Sequence, residues 1–198
     1  MPLPTFQRAE EPLDYAARQL SRAVADPKHP WHWPVLATAG PAAQVVVLRG
    51  FDRAAPAVTF YTDARSAKVG QLDSTGGACE LLFYHPRHRI QLRVSGAAAA
   101  VAQERERRRR WERQSDQGRR SYATVEPPGT PLERPGDGLP SGFAPEPSDE
   151  QLARAFANFA VYEVAINRAD LLQLGREGQR RCRWEGDWSV GSSGWVTP

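Results

Sequence analysis

Between residues 35 and 95 the apolar positions recur at every second residue, in short segments rich in β-branched and aromatic side chains. Segments 35–39, 44–51, 57–62, 80–85 and 89–95 are separated by turn material, including AGPA, DRAAP and PRH. A strand sends successive side chains to opposite faces, so this period predicts strands with one buried side. The clearest case is the last. Ile90, Leu92 and Val94 point one way and Gln91, Arg93 and Ser95 the other. Strands that follow one another this closely pair antiparallel, and a long run of them favours a barrel.

Helices frame this region. Leu13, Ala16, Ala17, Leu20 and Val24 recur at helical spacing over residues 12–25, with Pro12 in the first turn. Pro27, Pro30 and Pro34 then break the helix around Trp31 and Trp33. Residues 65–74 read as a short helix with Val69 and Leu72 on one face, and 104–117 as a charged one containing Trp111. The Pro/Gly-rich stretch 126–147 is an irregular loop, after which Ser148 caps a helix through Phe156. Segments 160–166, 171–174 and 180–184 and a last piece near Trp195 return to strands. The expected class is α+β, mainly β, as a single domain over 1–198.

Composition sets the compartment and discounts one tempting signal. No apolar run approaches the ~20 residues of a membrane span. The first twelve residues, MPLPTFQRAEEP, have no signal-type apolar core. Cys79 and Cys182 form no zinc spacing and no disulfide framework. These features predict a soluble, reduced, cytoplasmic protein. Of the 26 basic residues only Lys28 and Lys68 are lysines, so a GC-rich coding background inflates the arginine count. The run Arg105, Arg107 to Arg110 and Arg113 is interleaved with Glu104, Glu106 and Glu112, which pair along a solvated helix. Neither nucleic acid nor membrane is an expected partner. The pairs His29/His32 and His85/His88 lack a completing carboxylate or cysteine, so no metal is expected either.

Three segments collect chemistry. VVVLR ends an apolar strand on Arg49. FYTDARSAK runs from a strand into a helix start and gathers Tyr61, Thr62, Arg65, Ser66 and Lys68. Hydroxyls and cations in so small a span suit a phosphate. RIQLRVSG sets the amide of Gln91, which both donates and accepts, among apolar strand neighbours.

In this order and at these separations, the three motifs resemble the pyridoxamine 5'-phosphate oxidase superfamily of FMN-binding split barrels. The branch they most resemble is the oxidase-related one rather than the true oxidases. The resemblance covers about residues 12–198, with QRRCRW at 179–184 as the closing strand and WVTP at the end. It implies a six-stranded antiparallel Greek-key split barrel with peripheral helices, a homodimer, and one FMN in each of two clefts between subunits. It further implies that Arg49, Tyr61, Thr62, Ser66 and Lys68 surround the flavin phosphate and ribityl chain. Gln91 would hydrogen-bond the isoalloxazine ring, and Arg181 would lie at its pyrimidine edge.

The departures are specific. Gln44 and Ala67 stand where the family carries arginines, Arg65 being the nearby substitute, and the later glutamine–serine pair has no counterpart around Tyr122 to Val125. No tryptophan stands near Leu171 or Leu172. Glu177 and Gln179 occupy positions where true oxidases offer an arginine and a histidine to their substrate. A carboxylate repels a phosphate, so pyridoxamine 5'-phosphate is disfavoured. The leading reading is an FMN-dependent oxidoreductase of a small molecule, with no residue marked as an obligatory acid or base. A genuine pyridoxamine 5'-phosphate oxidase and a non-catalytic flavin carrier or sensor are the alternatives. Trp184 or Trp188 would border the cleft.

Overall fold

The computed structural model describes residues 4–40, 42–143, 147–175, 178–186 and 193–198. Nine strands lie within these residues: β1 Val35–Thr38, β2 Ala42–Val45, β3 Leu48–Asp52, β4 Ala57–Asp63, β5 Ala78–His85, β6 Ile90–Ala100, β7 Phe159–Gln173, β8 Arg180–Glu185 and β9 Ser193–Val196. Five α-helices accompany them, α1 Glu10–Ala25, α2 Ala67–Asp73, α3 Glu104–Glu112, α4 Asp116–Arg120 and α5 Asp149–Asn158, with a 3-10 turn at Pro30–His32.

Every strand pair is antiparallel, along the path β2-β1-β5-β6-β7-β4-β3. The ends of this path, β2 and β3, are consecutive in the chain and separated only by Val46 and Val47. A two-residue link cannot cross a flat sheet, so the path must curl until its ends meet, which makes a barrel. The expected strand over 44–51 is therefore two strands, because its halves pair with different neighbours.

The expected strands 160–166 and 171–174 are, conversely, one. β7 pairs with β6 along one edge through Gln173, while its other edge is shared. Residues 159–165 pair with β4 and residues 168–173 with β8. At the handover the Ile166 N–H donates to the Pro56 carbonyl, and the Asn167 carbonyl accepts from Gly186. This is where the barrel splits. Opposite the handover the register of β6 shifts between Ser95 and Gly96. A Cβ on Gly96 would lie 2.0 Å from the Ala165 carbonyl oxygen, so only glycine lets the two backbones close there.

The barrel interior holds Leu36, Leu48, Val58, Phe60, Leu81, Phe83, Ile90, Leu92, Val94 and Leu171. The alternation read from 90–95 is that of the structure. Amphipathic α1 closes the core with Leu13, Ala16 and Leu20. A second core joins Trp111, Tyr122, Ala155, Phe156, Phe159 and Val161 beneath α3 and α5. Ser148 caps α5 as expected, and Gln151 completes a capping box with it. The single charged helix expected over 104–117 breaks at Arg113, and Ser115 caps α4 by accepting from the Gly118 N–H. Trp184 is a core residue, 2% exposed, rather than a cleft wall, and Trp188 lies outside the described residues.

Under α1 sits a cluster of neutral imidazoles. The His85 and His88 rings stack at 3.9 Å, and His29 meets His85 edge-on at 5.8 Å. His29 Nδ1 accepts from the Trp31 N–H and His85 Nδ1 from the His88 N–H, so Nε2 carries the proton in both. The Tyr15 hydroxyl and His88 Nδ1 lie 2.6 Å apart. Burial, with the neighbouring His88 and His29, pushes the His85 pKa down to about 4. An unfolded histidine takes its proton near ~6.5, so the unfolded state gains protons that the fold refuses. Stability is therefore lost as pH falls from about 6.5 to about 4, by on the order of 2–3 kcal/mol. Urea midpoints at pH 7 and pH 4.5 should differ accordingly, and differ less in His85→Asn, where the lowered pKa values of His29 and His88 remain. Equal wild-type midpoints at both pH values would refute the assignment.

Candidate functional site

The end of β4 and the turn into α2 carry the densest chemistry. The Asp63 carboxylate accepts from the Arg65 backbone N–H at 2.8 Å, and the Ser66 N–H donates to the Asp63 carbonyl at 3.0 Å. This turn, built by an aspartate as such turns commonly are, swings Ser66 and Lys68 back over the strand end. The Ser66 hydroxyl does not cap α2. It lies 3.2 Å from the Thr62 hydroxyl, and Lys68 Nζ donates to Thr62 Oγ1 at 3.0 Å and to Ser66 Oγ at 3.5 Å. Thr62 and Ser66 are buried. Burial holds the Lys68 pKa below the usual lysine value, against an opposing pull from Asp63. Among the described residues no carboxylate forms an ion pair with Lys68. Two hydroxyls around a half-buried ammonium that is held in no ion pair fit a phosphate.

Arg65 is used differently from what its place in the motif suggests. Its guanidinium grips both Asp63 oxygens, at 3.1 and 2.8 Å, and donates to Thr124 Oγ1 at 2.9 Å and to the Thr124 and Val125 carbonyls at 3.1 Å. No hydrogen bond links it to Thr62, Ser66 or Lys68.

Tyr61, next to Thr62 on β4, faces the opposite side by strand alternation. The Arg49 guanidinium, at the register shift of β3 between Leu48 and Gly50, lies over the Tyr61 ring at 5.5 Å. Burial raises the Tyr61 pKa, and the arginines near it pull the other way. Both residues line a cleft of about 510 Å³ whose far wall is α3 and the start of α4, including Arg110, Arg113, Gln114 and Ser115. Arg109 and Arg110 are paired with Glu106, and Arg110 also reaches Glu163 at 2.6 Å. Arg49 and Arg113 have no carboxylate partner among the described residues. The Gln114 amide is buried with neither of its polar atoms bonded.

The arginine-rich helix is thus only partly the solvated face that its composition suggests. Arg107 donates to the Phe159 carbonyl at 2.7 Å, and Arg108 lies over the Phe156 ring at 4.1 Å. The sequence reading missed the cleft wall. Trp111 followed by the Ser115 cap was the available signal, since a buried tryptophan commits one helix face to packing and turns the adjacent arginines toward β3 and β4.

Gln91 and Arg181 lie in one row on the outer face of the barrel, two strands apart, with the Arg181 guanidinium held on Asp170. Both stand opposite Leu172, on β6 and β8, and so share one row across three strands. Gln91 is half-buried beside Tyr84, its partner on β5. Burial raises the Asp170 pKa, but Arg181 and Arg183 outweigh it and hold the carboxyl below its usual range. In one chain the eight candidates therefore form three groups: Thr62, Ser66 and Lys68 with Arg65 behind Asp63; Arg49 with Tyr61; and Gln91 with Arg181. Gln44 lies opposite Leu36 on β2, and Ala67 opens α2. Gln179 borders a second cleft of about 490 Å³ with Phe6, Arg180, Arg181 and Trp195. Glu177 lies outside the described residues.

This architecture, an antiparallel barrel split along one strand, is the FMN-binding split-barrel fold. Residues 17–102 match the family model described as pyridoxamine 5'-phosphate oxidase, FMN-binding domain. The family resemblance carried by VVVLR, FYTDARSAK and RIQLRVSG is thus shown, and FMN is the cofactor of the domain matched. Two solved structures share the fold over nearly the whole chain. One is a pyridoxamine 5'-phosphate oxidase-related, FMN binding protein of Nostoc punctiforme, 24% identical with a TM-score of 0.69, covering 98% of this chain and 100% of that one. The other is PhzG of Burkholderia lata in complex with tetrahydrophenazine-1-carboxylic acid, 20% identical with a TM-score of 0.71, covering 98% of each chain. No curated protein matches the sequence. No helix among the described residues is long and apolar enough to cross a membrane.

Proposed function

We propose that this chain binds FMN and is an FMN-dependent oxidoreductase whose substrate is a small anionic molecule. Thr62, Ser66 and Lys68 hold the flavin phosphate. Gln91 and Arg181 serve the ring. Arg49 and Arg113 receive the anionic end of the substrate. Bound flavin supplies the two-electron acceptor. The protein's own part is to bind and orient, since no side chain at the site stands out as an obligatory acid or base. The observation that carries the substrate class is the pair of arginines, on facing walls of one cleft, that have no carboxylate partner among the described residues. The test begins with whether purified protein retains a yellow chromophore that is FMN on release. Anaerobic bleaching of that flavin by a small phosphate- or carboxylate-bearing reductant, but not by its uncharged ester, completes it. Failure to take up FMN, or equal bleaching by the ester, overturns the reading. Flavin that binds and is never reduced by such substrates favours the carrier or sensor alternative.

The functional unit in this reading is a homodimer. Three separate groups on one chain make no enclosed flavin site, whereas a boundary between two copies would complete one. Val45, Tyr84 and Trp195 are exposed apolar residues. Obligate interfaces of this kind bury ~2,000 Å² or more. Light scattering at micromolar concentration should give twice the mass of the chain. A monomer that still holds flavin would overturn the arrangement.

Pyridoxamine 5'-phosphate is expected to be a poor substrate. Gln179 has no charge, and Glu177 is an anion where the resemblance expects substrate-holding residues. One like-charge contact at ~4 Å is of order 4 kcal/mol at an effective dielectric of about 20, before screening. Even a quarter of this, added to a lost charge-assisted bond, weakens binding by about a hundredfold. Pyridoxal 5'-phosphate formation by FMN-loaded protein should be correspondingly slow. Turnover at the level of a true oxidase would promote that alternative.

A further inference from the structure

The phosphate cluster carries an apparent flaw. Asp63 ends β4 one residue after Thr62, is 7% exposed, and is close enough to Lys68 to raise its proton affinity. An uncompensated carboxylate there would repel the dianion that Thr62, Ser66 and Lys68 are arranged to hold, and its burial leaves it weakly screened by solvent. The turn nevertheless needs this side chain, because Asp63 Oδ1 accepts from the Arg65 N–H and so shapes the backbone that presents Ser66 and Lys68. Arg65 resolves the conflict. It covers both carboxylate oxygens in a two-point ion pair while Thr124 and Val125 hold its guanidinium from behind.

Resting on the reading of Thr62, Ser66 and Lys68 as the phosphate site, we infer that Arg65 is a positioning residue that does not touch the phosphate. It acts through Asp63, masking that carboxylate so that the bound dianion meets the Lys68 charge alone. This assigns Arg65 a task distinct from the direct contact that its place in FYTDARSAK implies.

A double-mutant cycle on FMN affinity decides the matter, with FMN as the probe and the full chain as the protein. Arg65→Gln should weaken FMN binding about tenfold or more, because it bares Asp63. Asp63→Asn alone should bind within about threefold of wild type, since its amide oxygen still accepts from the Arg65 N–H. Asp63→Asn/Arg65→Gln should return to within about threefold of wild type, because nothing is left to mask. The loss in Arg65→Gln should also shrink as salt is raised, which a purely bracing role would not produce. A double variant as weak as Arg65→Gln overturns the inference, as does Arg65→Gln binding like wild type. Should Arg65→Gln fail to fold, Arg65→Lys decides instead: it keeps the charge and should bind within about threefold of wild type, and a loss beyond tenfold overturns the inference. Lys68→Ala separates the two levels. If it binds FMN as wild type does, the phosphate site itself is misplaced. If it binds weakly while the double variant stays weak, only the role of Arg65 falls.

Discussion

Lys68→Ala should weaken FMN binding by about ten- to a hundredfold while leaving the fold intact. A charge-assisted contact is worth roughly 1.5–3 kcal/mol, and this ammonium already donates to Thr62 Oγ1 at 3.0 Å and forms no ion pair among the described residues. The side chain is half-buried, so a phosphate arriving there meets less screening than at the surface. Lys68→Arg should retain more affinity than alanine, though not all, because a planar fork does not reproduce a point charge between two hydroxyls. A pH dependence follows. Burial holds the Lys68 pKa below the usual value, and an anion favours its charged form. FMN affinity should therefore fall as pH rises through that lowered pKa, because the neutral amine gives the phosphate a hydrogen bond but no charge. The variant should lose this dependence. Fluorescence quenching of FMN across the alkaline range, for wild type and Lys68→Ala, measures both effects. Unchanged affinity in the variant would remove the phosphate from this end of β4.

Gly96→Ala should be a severely damaging methyl addition to the barrel. The new Cβ would stand 2.0 Å from the Ala165 carbonyl oxygen and 2.9 Å from its carbon, both of them backbone atoms. A side chain can rotate away from such a clash, but a ladder cannot yield without pulling β6 from β7. These strands also hold the Gln91–Leu172–Arg181 row, so damage there spreads to the ring side of the site. Overpacking of this kind costs about 3 kcal/mol or more. For a chain of this length that lowers Tm by roughly 6–12 °C. Gly70→Ala is the matched control. Nothing lies within 4 Å of its added Cβ, and alanine favours the helix there, so its Tm should hold or rise slightly. Calorimetry of the two variants side by side is the measurement, and equal melting would show that the β6–β7 register shift tolerates a side chain.

The local features of the site are legible in the chain itself. Period-two alternation placed Ile90, Leu92 and Val94 inward, and the core holds all three. The spacing Ser148 to Gln151 is enough for a capping box, and Thr62, Ser66 and Lys68 lie close enough in sequence for one turn to bring them together. The boundary at Arg89 was misplaced by one residue, because Arg89 takes φ 53 in the hairpin turn and the strand begins at Ile90.

What sequence alone determined about this protein is thus what neighbouring residues settle among themselves: the strand period, the helix caps, the hydroxyl–lysine cluster and the motif order that points to the family. Tertiary structure decided everything that depends on distant partners. Residues 44–51 divide because their halves pair with β1 and with β4, and 159–173 stay continuous because β6 runs along the whole strand while β4 and β8 share its other edge. Arg65 looks like one more phosphate cation until Thr124 and Val125, some 59 and 60 residues away, are seen to hold it on Asp63. Arg110 and Arg113 read as solvated until β3 and β4 stand opposite them. The physical reason is the same in each case: an arginine's role is set by which acceptors the fold brings within 3 Å, and its own neighbours in the chain do not record them.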